Sequence, residues 1–145
     1  MADKKQIGAE LVGAWKMVSC KAEVEGESEP RYPLGHNPQG YIVITANHRI
    51  MALITTGDPR KPATNDAEHA QLMKTMMGYS GRFVIDEEKF VTTPDTTATG
   101  SYVGTPQTRY YTLDGDNLTI RSGRQTGGLI PGKTAVTTNI FVREK

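Results

Sequence analysis

Cysteine is almost absent from this chain, which has one, Cys20, among 145 residues. A single cysteine cannot form an intramolecular disulfide, so the sequence excludes a small secreted scaffold held together by disulfides and favours a reducing compartment. Residues 1–6 are polar, and no apolar stretch has the length of a signal peptide or a membrane-spanning helix. We therefore expect a cytoplasmic protein that does not associate with a membrane.

An excess of charge of one sign is also lacking. The chain has 17 Lys and Arg against 16 Asp and Glu, a formal net charge of +1, and its basic residues form no stripe. A nucleic-acid partner is therefore not expected. The three histidines, His36, His48 and His69, have no metal-ligand spacing, so we expect no metal. The glycine-rich segment 123–128 precedes no helix that could hold a phosphate. It is predicted to be a mobile loop at a barrel mouth, and no cofactor is expected.

Long hydrophobic runs are missing as well. Hydrophobic residues make up 37% of the sequence and occur in short runs bounded by turn residues, which is typical of strands in one globular domain, residues 1–145. An Asp-Gly turn at residues 114–116 predicts a hairpin, and Pro94 predicts a bulge or an edge position. We predict about eight strands, at residues 14–24, 41–45, 49–54, 79–85, 89–93, 105–113, 117–122 and 134–143.

One segment has the pattern of a helix. Asn65 can act as its N-cap, and Glu68 completes a capping box three residues later. Gly78 provides the C-terminal stop, so the helix is predicted over about 66–77, between the third and fourth strands. Its apolar stripe either packs in the core or forms a lid or side wall of a cavity. The residues at helical spacing are His69, Leu72, Met73, Met76 and Met77.

The first and last strands carry complementary residues. The first contains Gly13-x-Trp15 and the last contains Phe141-x-Arg143. In a closed barrel the terminal strands pair, so the Trp15 indole and the Arg143 guanidinium are predicted to stack and to plug one end. Strict alternation along the first strand places Cys20 on the face opposite Trp15, where we interpret it as a simple thiol without a catalytic role.

Several short strings resemble the lipocalin-like domain family of bacteria and fungi, in order along nearly the whole chain. They are Leu11 to Ser19, Tyr32-Pro33-Leu34-Gly35, Pro38-x-Gly40-Tyr41-Ile42, Gly78 to Phe83, Val103-Gly104-Thr105 with Gln107 and Arg109, Leu113-Asp114-Gly115-Asp116-x-Leu118, and Phe141-x-Arg143. The resemblance implies an all-β fold, an eight-stranded antiparallel up-and-down barrel with a central cavity. It also implies a binder of small apolar or aromatic molecules, or a cofactor-free enzyme.

The chain departs from the family pattern at two places. The fifth strand has Thr92-Thr93 where the family usually carries a pair of histidines, and Tyr102 replaces the usual tryptophan before Val-Gly-Thr. If those histidines perform chemistry in other members, this chain cannot copy it. Catalytic residues therefore remain unassigned.

The alternation of side chains along each strand identifies candidate binding residues. Arg109 lies on the same face as Tyr111 and Leu113, and both an inward and an outward position remain open for it, whereas Arg82 and Arg121 are predicted to face solvent. An inward guanidinium would bind an anionic or carbonyl-bearing ligand, because a buried charge needs a partner. The predicted ligand-binding residues are Arg109, Tyr111, Tyr41, Tyr79, Tyr102, Met17, Phe83 and Met76.

Three functions are compatible with this sequence. The first is binding of one small, mostly apolar, aromatic or carbonyl-bearing molecule in the barrel cavity. The second is a cofactor-independent isomerase, cyclase, hydratase or lyase, in which a tyrosine, Asp or His moves a proton and Arg109 stabilises negative charge. The third is a protein-interaction module whose barrel is filled and has no cavity of about 300 Å³ or more. The sequence does not indicate an oligomeric state.

Overall fold

A computed structural model describes residues 7–145, and the polar segment 1–6 lies outside the described residues. A 3-10 helix, Ala9–Leu11, precedes the first strand. No helix among residues 7–145 is long and apolar enough to cross a membrane. The elements that follow are β1 (Gly13–Val24), β2 (Gln39–Ile44), β3 (Arg49–Thr55), α1 (Asp66–Lys74), β4 (Met76–Ile85), β5 (Lys89–Thr97), β6 (Gln107–Asp114), β7 (Asn117–Ser122), β8 (Gln125–Gly127) and β9 (Ile130–Arg143).

The strands close into an antiparallel barrel in the order β1-β2-β3-β4-β5-β6-β7-β9, and β9 pairs back onto β1. This confirms the predicted all-β, eight-stranded lipocalin-like barrel with one helix. The short strand β8 pairs with β9 beyond the end of β7. The glycine-rich segment predicted as a loop is therefore partly a strand, because its backbone hydrogen-bonds to the long β9.

Strand β1 contains a bulge that reverses its alternation. Trp15 and Met17 face the interior, and the register with β9 shifts between Met17 and Ser19. One extra residue moves every later side chain to the other face, so Cys20 is fully buried inside the barrel. The prediction that Cys20 lies opposite Trp15 is therefore wrong. Burial raises the pKa of the Cys20 thiol to about 11.

Helix α1 begins as predicted and ends early. The Asn65 side chain accepts a hydrogen bond of 2.9 Å from the Glu68 N–H, which confirms the N-cap. The helix stops at Lys74, and Met76 and Met77 instead pair with β3 as the first residues of β4. The predicted end at residue 77 is therefore wrong, because pairing in the sheet satisfies these backbone groups. None of the helix residues is buried, so α1 lies outside the core.

The two ends of the barrel differ. At one end, the 3-10 helix with its buried Leu11, together with Trp15 and Arg143, closes the interior. At the other end, the β4–β5 register shifts opposite Pro94, which confirms the predicted bulge. The closed end is filled by side chains, and the cavity described below occupies the opposite end.

Candidate functional site

The barrel contains a cavity of about 220 Å³. Four segments surround its mouth: the β1–β2 loop, the start of β4, the β5–β6 loop and the β8–β9 turn. They contribute, respectively, Pro33, Met76, Tyr102 and Leu129. The cavity thus lies at the end of the barrel where the connections are longest, away from Trp15.

The size of the cavity limits what it can hold. It is smaller than the lower bound of about 300 Å³ that is typical of sites for drug-sized molecules. It is larger than a cavity of about 150 Å³, which is enough for one benzene. The cavity is therefore smaller than the volume of about 300 Å³ that would have excluded a protein-interaction module with a filled barrel. A ligand that fits this cavity is a single ring with a few substituents.

The lining has one mainly apolar wall and one mainly polar wall. The apolar wall comes from β2, β4 and β5, where Ile42, Met77, Tyr79, Phe90 and Pro94 line the cavity together with the polar Thr92 and Thr97. The polar wall comes from the neighbouring strands β6, β7, β8 and β9, where Gln107, Arg109, Ser122, Gln125, Thr137 and Asn139 line the cavity beside the apolar Ile120, Ile130, Ala135 and Phe141. Because neighbouring strands bring these side chains together, most polar groups that a bound ring can meet lie on one side of the cavity.

Arg109 points into the cavity and is largely buried. Its guanidinium donates a hydrogen bond of 2.8 Å to the carbonyl oxygen of Thr108. Within residues 7–145, no carboxylate oxygen lies within 4.0 Å of it. Desolvation by burial lowers the pKa of Arg109, but arginine stays charged at neutral pH. The site therefore contains a cation without a counter-ion among the described residues 7–145.

Two tyrosines accompany this cation. Burial raises the pKa of Tyr79, and the positive charge of Arg109 offsets part of that increase, so Tyr79 is a neutral phenol at pH 7. Tyr102 has φ of 67°, a left-handed conformation that is uncommon for a bulky residue. Its hydroxyl donates a hydrogen bond of 3.1 Å to the Thr126 carbonyl oxygen, across the mouth.

Two further polar groups in the lining have no hydrogen-bond partner in the described part of the chain. The Asn139 Oδ1 and Thr97 Oγ1 atoms are buried and make no hydrogen bond within the described residues. An unpaired buried acceptor costs about 1–3 kcal/mol, so such groups are uncommon unless something else binds them. Sequence reasoning missed both residues. Asn139 could have been identified from the alternation of side chains along β9, because it lies on the same face as the inward-facing Ala135 and Phe141.

Four of the eight predicted binding residues line the cavity: Arg109, Tyr79, Tyr102 and Met76. Of the two orientations left open for Arg109, the inward one is observed. Arg82 and Arg121 are exposed on the outer face, as predicted. That the four lining residues bind a ligand stays a prediction.

The other four predicted residues do not line the cavity. Tyr41 is 41% exposed on the outer face of β2, because the inward positions of this strand are Ile42 and Ile44. Met17 is buried at the closed end of the barrel. Phe83 is buried against His48, with ring centroids 5.0 Å apart, and Tyr111 donates its hydroxyl to the Asp86 carbonyl oxygen at 2.7 Å.

The cavity offers hydrogen-bond donors, hydroxyls and one cation. Within residues 7–145 its lining has no His, Asp or Glu, and no cluster of His, Cys, Asp and Glu could hold a metal ion. The arrangement can therefore bind an anion or a carbonyl at Arg109. Any proton transfer would involve the phenols of Tyr79 or Tyr102.

The comparison with curated proteins gives no match. A family model described as lipocalin-like domain matches residues 12–144. This range contains every strand of the closed barrel. The fold suggests small-molecule binding in general. The chain therefore belongs to the lipocalin-like domain family.

Proposed function

We propose that the barrel binds one small, mostly apolar molecule, an aromatic ring that carries a carboxylate or a carbonyl group. The observation that carries this proposal is the Arg109 guanidinium, which is largely buried in the cavity without a carboxylate partner among residues 7–145. A buried charge is costly unless it is paired. A ligand that brings an anion or a strong acceptor supplies the missing partner.

Affinity comes mainly from the ring. Burial of apolar surface contributes roughly 25 cal/mol per Å², before the cost of association is subtracted. The apolar wall, with Phe90, Tyr79 and Ile42, receives one face of the ring. Arg109 orients the polar end, since charge-assisted hydrogen bonds are about twice as strong as neutral ones.

The test is isothermal titration calorimetry with benzoate, benzamide and toluene. We expect benzoate to bind more tightly than benzamide, and benzamide more tightly than toluene. Arg109→Ala is expected to remove most of the advantage of benzoate. The matched control is Arg121→Ala, because Arg121 is an arginine on the outer face of the adjacent strand.

Two results would overturn the proposal. One is that none of the three compounds binds to the folded protein. The other is that Arg109→Ala and Arg121→Ala have equal effects on benzoate. A chemical change in any of these compounds, detected by NMR after incubation, would instead support the alternative of a cofactor-independent enzyme.

A further inference from the structure

The Asn139 carboxamide lies deeper in the barrel than Arg109. Arg109 on β6 pairs with Ser122 on β7, and the Thr137 N–H donates to Ser122 Oγ at 2.9 Å, so these residues form one row across the barrel wall. The next row toward the closed end contains Ile120 and Asn139. Two residues along a strand span about 7 Å, so the rows are about one ring apart.

The neighbours of Asn139 leave its oxygen without a donor. Its register partners are Ile120 on β7 and Cys20 on β1. Ile120 has no polar side-chain atom, and the Cys20 thiol makes no hydrogen bond to Asn139. The Oδ1 atom makes no hydrogen bond within residues 7–145 and is covered by protein, although Asn139 lines the cavity. Rotation of the carboxamide about its Cβ–Cγ bond turns Oδ1 toward the cavity, where it accepts from an N–H or O–H group.

We propose that the ligand is an aromatic carboxylic acid whose ring carries a hydrogen-bond donor, with the carboxylate at Arg109 and the ring O–H or N–H at Asn139 Oδ1. This inference rests on the proposed function and adds a second polar group to the ligand, the hydrogen-bond donor on its ring. The ring itself spans the interval between the two rows. A donor at the meta or para position can reach the deeper row. A donor at the ortho position bonds to its own carboxylate and is hidden from Asn139.

The experiment measures the affinities of benzoate and of 2-, 3- and 4-hydroxybenzoate by calorimetry. For the wild type, we expect the better of the 3- and 4-hydroxy compounds to bind about tenfold more tightly than benzoate. The 2-hydroxy compound should show no such gain. In Asn139→Leu the tenfold gain should disappear while benzoate still binds. Asn117→Leu, a matched change at an exposed asparagine, should keep the gain.

The outcomes separate the two proposals. If none of the four compounds binds, the proposed function fails. If benzoate binds through Arg109 but neither the 3- nor the 4-hydroxyl improves affinity, or if the gain persists in Asn139→Leu, this inference alone is overturned. Circular dichroism checks that each variant is folded. If Asn139→Leu does not fold, Asn139→Ala gives the same comparison with a smaller side chain.

Discussion

Arg143 lies over the indole of Trp15, with its guanidinium carbon 4.2 Å from the ring centroid. The two residues are register partners on β9 and β1, the strands that close the barrel. The indole N–H donates to the Leu11 carbonyl oxygen at 2.9 Å, and the guanidinium donates to the carbonyl oxygens of Val12 at 3.0 Å and of Glu10. This pair therefore joins both terminal strands to the 3-10 helix.

Replacement of Arg143 by Lys should destabilise the fold. Lysine keeps the charge but cannot lie flat on the indole and reach two carbonyl oxygens at once. We expect Arg143→Lys to lower the free energy of unfolding by about 1–2 kcal/mol, measured by urea denaturation. Arg82→Lys, at an exposed arginine on β4, should change it by less than about 0.5 kcal/mol. Equal effects of the two substitutions would show that the stacked pair does not stabilise closure.

Replacement of Arg109 by Met should stabilise the protein without ligand. The Arg109 charge is largely buried without a carboxylate partner in residues 7–145, and methionine fills similar space without that cost. We expect Arg109→Met to raise the free energy of unfolding by about 1 kcal/mol. Benzoate binding should be lost in the same variant. A decrease in stability would mean that Arg109 has a structural role.

Cys20 should make stability depend on pH in the alkaline range. Its pKa is raised from 9.0 to about 11 in the folded barrel, so the thiol contributes stability that is complete below pH 9 and is lost as the pH rises through 11. Linkage gives a loss of roughly 2–3 kcal/mol. Because tyrosines and lysines in general titrate in the same pH range, the measurement is the difference in the free energy of unfolding between wild type and Cys20→Ala, taken at pH 8 and at pH 11. A difference that does not change with pH would contradict this account.

Gly81 is required by the close approach of two strands at the Pro94 bulge. A Cβ atom at Gly81 would lie 2.7 Å from the Thr93 carbonyl oxygen and 2.9 Å from the Cα of Pro94. We expect Gly81→Ala to lower the melting temperature and to cost about 1–3 kcal/mol, since backbone must move. Gly123→Ala is the matched control and should be nearly neutral, because no described residue other than its chain neighbours comes within 4 Å of the added Cβ.

Local sequence patterns predicted most of the elements. The Asp-Gly turn predicted the β6–β7 hairpin, and Asn65 predicted the start of α1. Both signals act over a few residues, so no distant contact is needed to interpret them. The end of α1 was less predictable. Met76 fits a helix by its spacing, but it pairs with Thr55 in the sheet, a contact 21 positions away.

The candidate site was predicted less well. Alternation identified Arg109 as a possible inward residue and could not distinguish the two faces of β6, because each face mixes polar and aromatic side chains. Tyr41 was misplaced because its strand is apolar on both faces, with Val43 also exposed. Asn139 was overlooked because a single asparagine in a strand has no recognisable motif.

Residues read along the chain determine the succession of strands and turns. They also determine the pair of Trp15 and Arg143 that closes the barrel. Hydrophobic alternation and turn chemistry act over short distances, and closure needs only that the first and last strands meet. The identity of the cavity wall depends instead on strand register. The bulge in β1 turned Cys20 inward, and the pairing of β6, β7 and β9 brought Arg109 and Asn139 to one wall. A shift of one residue in any of these pairings would move every side chain of a strand to its other face, and no local pattern encodes that choice.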